Sequence, residues 1–224
     1  MSPLNVTFIC KFVTMEKVQT VINHYISKAK EGEIVFPTDF RGSGNEGAIK
    51  MALHRLVKTG KIKRLAHGIY YVPKVDPLFG ELQPDASEIA EKIAKKEKVR
   101  IRPAGAYALN KLGLSTQVPT KLVYITDGVP RQLKIGKMTI KFKATTNKKL
   151  SMKGELSGLI IQALEELDLN NMDHTRETKI KELLLKEDSK KLKHDLVLAP
   201  ARVHDYIVKL LKTKENDRMV EIDR

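Results

Sequence analysis

The chain has no tryptophan, a single cysteine (Cys10), and aromatic rings at only 5% of its 224 positions. One cysteine excludes an intramolecular disulfide framework and a multi-cysteine zinc site, and it fits a reducing compartment. So few rings leave little for an extended stacking platform for single-stranded nucleic acid or sugars. Long apolar runs are missing too, since no stretch approaches the ~18 residues of a bilayer-spanning helix. Leu4 to Val13 is fairly apolar, but Lys11 interrupts it, and it lacks a basic leader and a small-residue cleavage site. The chain reads as cytoplasmic, with no membrane partner. In that compartment the Asn5-Val6-Thr7 glycosylation sequon has no meaning. Met15 stands just before a helical pattern, so it is an alternative start, and residues 1–14 read as an extension of doubtful role.

Acidic side chains are scarce in one place. Lys and Arg total 41 against 27 Asp and Glu, a net charge of +14. Residues 99–153 hold 12 basic residues and one acid, Asp127, for a net +11, whereas 1–98 carry +5 and 154–224 carry −2. A solvated coat mixes signs, as the C-terminal third does; a segment with a single acid suits a polyanionic partner. The remaining balance, 42% hydrophobic and 30% charged, is globular.

Periodicity supplies the elements. Val18, Ile22, Tyr25 and Ile26 predict a helix over 16–30. Ile34-Val35-Phe36 is a short strand, Thr38 and Asp39 cap a short helix to Phe40, and Asn45 caps a helix whose apolar stripe is Ile49, Leu53, Leu56 and Val57. Gly60 closes that helix. Residues 61–65 and 69–73 then form a hairpin around Ala66-His67-Gly68. Prolines and a glycine over 74–84 read as a linker. Beyond it come a helix at 85–97, a strand at 99–102, a short helix at 104–112, a strand at 122–126, a hairpin at 131–142, and helices at about 155–167, 175–187 and 200–212.

Helix, short helix, longer helix and basic hairpin is the order of a winged helix-turn-helix. With the stripe turned inward, the helix after Asn45 presents Gly47, Lys50, Met51, His54, Arg55 and Lys58, while the hairpin presents Lys61, Lys63, Arg64 and His67. Arg can bond guanine in bidentate fashion in the major groove, and Lys and His can reach phosphate or base. The expected DNA-binding set is therefore Asn45, Lys50, His54, Arg55, Lys58, Lys61, Lys63, Arg64 and His67. A plain solvated helix face is the alternative for these residues. In the second half, Arg100, Arg102, Lys111, Lys121, Arg131, Lys134, Lys137, Lys141 and Lys143 could line one basic face. Alternation over 137–143 places Lys137, Thr139, Lys141 and Lys143 on one side and Met138, Ile140 and Phe142 on the other.

Phe40, Ala48–Val57, Gly60–Leu65 and Gly68–Pro73 resemble the winged helix of AbiEi-type antitoxins, which belong to bacterial type IV toxin–antitoxin and abortive-infection systems. Pro103–Asn110, Leu112–Pro119 and Tyr124–Gly128 are similar to the segment that follows the winged helix in one branch of that family. The resemblance covers roughly 34–145. It implies an antitoxin that represses its own operon at operator DNA with inverted repeats, and that counteracts a nucleotidyltransferase-like toxin, often without a stable complex. By their own chemistry, Pro103–Asn110 also suit a buried structural turn. The expected fold is α+β, with a winged-helix DNA-binding domain at 15–76 and a mixed α/β antitoxin domain at 85–224 ending in a helical tail.

No enzyme is indicated. Gly42–Gly47 fits G-x-G-x-x-G but lacks the preceding strand and the later acid that a dinucleotide site needs. His174, His194 and His204 lie far apart and read as surface residues of charged helices. No Ser–His–Asp, Cys–His or Asp-x-Asp arrangement stands out, and no metal or cofactor is expected. A basic RNA-binding or ribosome-associated protein is the competing class, with a purely structural interaction module as a third. A-form RNA hides its major groove from a recognition helix.

Overall fold

The computed structural model describes residues 17–222, with side chains to Lys212. The extension 1–14, with Cys10, and the alternative start Met15 lie outside those residues. The chain is α+β, and it divides into two compact units, Met1–Lys92 and Ile93–Arg224.

The N-terminal unit begins with helix α1 (17–28), followed by strand β1 (Ile34–Val35), a 3-10 turn (Pro37–Phe40) and helix α2 (Glu46–Lys58). The hairpin β2 (Lys63–Ala66) and β3 (Ile69–Tyr71) joins β1 in a three-stranded antiparallel sheet of order β1-β3-β2. Local chemistry fixes the boundaries. Asn45 accepts a 2.8 Å hydrogen bond from the Ala48 amide at the start of α2, and Gly60 (φ +74°) supplies the left-handed residue that ends it. Val18, Ile22 and Ile26 of α1 face Ile49, Leu53 and Leu56 of α2 in one buried cluster with Phe40, Ile62 and Tyr70. Fully burying a side chain of this size is worth ~1.5–3 kcal/mol, which outweighs the weak propensity of so short a helix. Gly44 is needed for closeness: a Cβ there would lie 2.3 Å from Cγ2 of Val18. Tyr25 departs from the expected stripe. It is exposed, donates to Glu33 and sets its ring edge-on to Phe40.

Where the sequence suggests a linker, the chain makes a second hairpin, β4 (Lys74–Asp76) and β5 (Gly80–Leu82). It is fastened to β2 and β3 by Glu81, which accepts from Lys63 and from the Tyr71 hydroxyl. Pro77 lies in its turn, Gly80 (φ +71°) opens β5, and Asp76 accepts from the amides of Leu78 and Phe79. Helix α3 (Ala86–Glu97) leads on, and the division into units falls within it.

The C-terminal unit holds β6 (Ile101–Ala104), α4 (Gly105–Lys111), β7 (Lys121–Thr126), β8 (Arg131–Ile135) and β9 (Met138–Ala144). The sheet order is β6-β7-β9-β8, with β7 parallel to β9 and the other pairs antiparallel. Then come α5 (Asn147–Leu150), α6 (Glu155–Leu164), α7 (His174–Lys186), α8 (Ser189–Leu198) and α9 (Ala201–Ile222). The main core joins Ala108 and Leu112 to Ile160, Ile161, Leu164, Ile180, Leu184, Val203 and Ile207. Helix α8 was not expected from the sequence. Its core-facing side carries Leu192 and Leu196 but also Asp195, so the apolar stripe is broken where a polar group is buried.

Candidate nucleic-acid interface

In the N-terminal unit, the capping and packing of α2 decide which side chains face out. Lys50, Met51, His54, Arg55 and Lys58 are all exposed, while Ala48, Ile49, Ala52, Leu53 and Leu56 are buried. Among the described residues, the side chains of Arg55, His54 and Lys58 make no ion pair or hydrogen bond. The five donors of the Arg55 guanidinium are therefore available to an external acceptor. Lys50 differs, because Glu46 one turn earlier lies 2.6 Å away. Asn45 is exposed, but its side-chain oxygen is engaged as the helix cap.

The β2–β3 hairpin is less uniformly cationic than its sequence suggests. Lys61 is exposed and, among the described residues, without a partner. Arg64 donates to the Ala66 carbonyl and lies 3.0 Å from Nδ1 of His67, which tethers both at the turn. Lys63 is ion-paired with Glu81, whose carboxyl the hydrogen bonds from Lys63 and Tyr71 hold below the usual range. Glu81 lies eighteen positions from Lys63 in the sequence, and only the second hairpin brings it there.

The C-terminal unit does not form the single basic face expected. Residues paired across strands share a face of the sheet, and the register sorts the cations. Lys121, Lys134, Lys141 and Lys143 fall on one face together with Thr139, Gln132 and Val123. Lys137 sits at the β8–β9 turn beside Gly136. Arg131 is on the opposite face, where it bonds Glu97 at 2.5 Å and lies over the Phe142 ring. Arg100 is neutralised by Asp127, which also accepts from its amide, and its guanidinium reaches Asn147 as well. Lys111 lies over the Tyr107 ring.

Arg102 is the clearest correction. Its guanidinium turns inward and donates to the carbonyls of Met152 and Gly154, and burial lowers its pKa against the opposing field of Asp195. Gly158 makes the room, since a Cβ there would lie 1.7 Å from Nη1 of Arg102. The same corner holds Asp195, which is 0% exposed and accepts from the amides of Lys153 and Gly154, the Ser157 hydroxyl and His194. Glu187 takes the next amides, Leu156 and Ser157. Two carboxylates thus cap α6, satisfying amides the helix cannot bond itself and opposing its positive N-terminal dipole. His194 is accordingly half-buried and bonded, not a surface residue. Ser157, Asp195 and His194 meet in that order. The carboxylate faces the hydroxyl, and the imidazole is on its far side, so the geometry is that of a cap.

The Pro103–Asn110 block also reads structurally. Gly105 begins α4 at φ +61°, Tyr107 and Ala108 are buried, and Asn110 donates to the carbonyls of Ser115 and Gln117. The Gly42–Gly47 segment follows a 3-10 turn, not a parallel strand. Among the described residues, no group of His, Cys, Asp and Glu is placed to hold a metal ion, and no helix is long and apolar enough to cross a membrane.

One family model matches residues 21–192, from α1 through the sheet and into α8. The chain belongs to the DUF6088 family, a family of unknown function. No curated protein matches it. The match takes in parts of both units.

Proposed function

We propose that this DUF6088 protein is a cytoplasmic, non-enzymatic antitoxin that represses its own operon at operator DNA. In this reading the N-terminal unit is a winged helix. Helix α2 lies in the major groove, and the β2–β3 hairpin follows the sugar-phosphate backbone. The C-terminal unit counteracts a nucleotidyltransferase-like toxin. The observation that carries the DNA half is the outward side of α2, where Arg55 and Lys58 stand exposed and, among the described residues, without partners next to a hairpin bearing Lys61 and Arg64. The toxin half rests on the resemblance over 34–145.

The DNA half is tested by selecting a preferred duplex from a random-sequence pool and repeating the binding with Arg55→Ala. Discrimination should fall by ~1–3 kcal/mol at one base pair, with binding to unrelated duplex little changed. Equal loss on all sequences would remove α2 from the groove, and tighter binding to structured RNA than to any duplex DNA would favour the RNA-binding class. The toxin half is tested by looking for a nucleotidyltransferase-like protein encoded in an adjacent gene and co-expressing the two. Growth rescue is expected, and absence of such a neighbour would sink it.

A further inference from the structure

We propose that the lysine face of the C-terminal sheet, on which Lys121, Lys134 and Lys143 are exposed and Lys141 is half-buried, is a second, sequence-independent contact for the phosphate backbone of duplex DNA. The register arranges it in three rows: Lys121, Thr139 and Lys134; then Val123, Lys141 and Gln132; then Ile125 and Lys143. Neighbouring strands are ~4.8 Å apart and alternate residues ~6.6 Å apart along a strand. The step from row to row is therefore about the axial rise of two phosphates on one DNA strand, at ~3.4 Å each.

Among the described residues, none of these four ammonium groups has an ion-pair partner. Three acids of this unit are engaged elsewhere: Asp127 with Arg100, Glu165 with Lys149, and Glu97 with Arg131 on the opposite face. Helix α5, whose Leu150 packs with Val123 and Ile125 of this face, brings Lys148 and Lys149 and no acid. Protection of a sheet edge explains only Lys134, on the edge strand β8. Lys141 and Lys143 are on β9, which has a hydrogen-bonded strand on each side.

The same register selects the ligand. The sheet's aromatic rings, Tyr124 and Phe142, stack on the other face, so the lysine face has no ring on which a base could lie. Single-strand binders stack bases, whereas a duplex hides its bases and offers phosphates, which a compact ammonium contacts as a point charge. The choice of DNA rests on the function proposed above; the charge geometry itself does not.

The experiment uses the full chain and labelled mixed-sequence duplex DNA over a potassium chloride series. It compares the wild type, the triple variant K134Q/K141Q/K143Q, its charge-preserving counterpart K134R/K141R/K143R, and R55A. The Gln triple should flatten the slope of log K against log salt by ~2.7, at ~0.9 per contact, with sequence discrimination intact. The Arg triple should keep the wild-type slope; if it loses the slope too, the effect is structural and the proposal falls. An unchanged slope in the Gln triple, with R55A still losing discrimination, overturns the lysine face but leaves the recognition helix. A flattened slope with R55A harmless does the reverse. Flattening on duplex RNA but not on duplex DNA overturns the assignment to DNA.

Discussion

The two units carry positive charge in opposite ways. In the N-terminal unit the cations lie on short local elements, and most remain where periodicity puts them: Arg55, Lys58 and Lys61 are exposed and unpaired among the described residues. In the C-terminal unit a segment with one acid in 55 residues gives its cations three different fates. Some form a sheet face, some are paired with Glu97 or Asp127, and Arg102 becomes an interior donor. The difference teaches that charge density along a chain marks a surface only when the cations are not needed as structural donors.

That contrast is broken most sharply at the α6 cap. Asp195→Ala leaves two amides and a hydroxyl without their acceptor in a buried corner, so the unfolding free energy should fall by about 3 kcal/mol at neutral pH. Chemical denaturation followed by circular dichroism reads it. Burial opposes the charge of Asp195, but hydrogen bonds from Ser157, His194 and the Lys153 and Gly154 amides outweigh burial and keep its carboxyl below the usual range. Its folded pKa therefore lies below the unfolded value of ~3.9. The stability it contributes is complete above that value and is lost as pH falls through the folded pKa. The variant should show a correspondingly shallower acid limb; an acid limb identical to wild type would show that Asp195 is not the titrating support.

Arg102→Met comes next. It removes the donor to two carbonyls while keeping much of the volume, and it should cost ~2 kcal/mol of stability. The salt slope for DNA should not change. A flattened slope with unchanged stability would return Arg102 to a basic face. The smallest effect is at the N-terminal unit: Asn45→Ala should lower stability by ~1 kcal/mol through loss of the α2 cap. Thermal melting measures it, and a shift as large as that of Asp195→Ala would erase the distinction between local and tertiary capping.

These residues show where sequence reading succeeded. Asn45, Gly60 and the apolar stripe of α2 were legible because a cap, a left-handed terminus and a 3.6-residue period are properties of a few neighbouring residues. The strand alternation over Met138–Phe142 was legible for the same reason, and the burial of Ile140 and Phe142 follows it. Helix α8 was not, because Asp195 occupies a core-facing position that a hydrophobic pattern scores as exposed. The second hairpin reads as a linker in the sequence because Pro77 and Gly80 are equally at home in a turn and in an irregular connection.

By itself, the sequence determined the α+β class, the elements of the N-terminal unit as far as β3, and the excess and position of positive charge, all of which depend on residue types and short spacings. Tertiary structure alone decided which of those charges remain available. Lys63 meets Glu81, Arg131 crosses to the face of Glu97, and Arg102 reaches Met152 and Gly154 across some fifty residues. An ion pair or a buried cap is defined by distances in space, and chain folding sets these with no trace in the local pattern of any one partner.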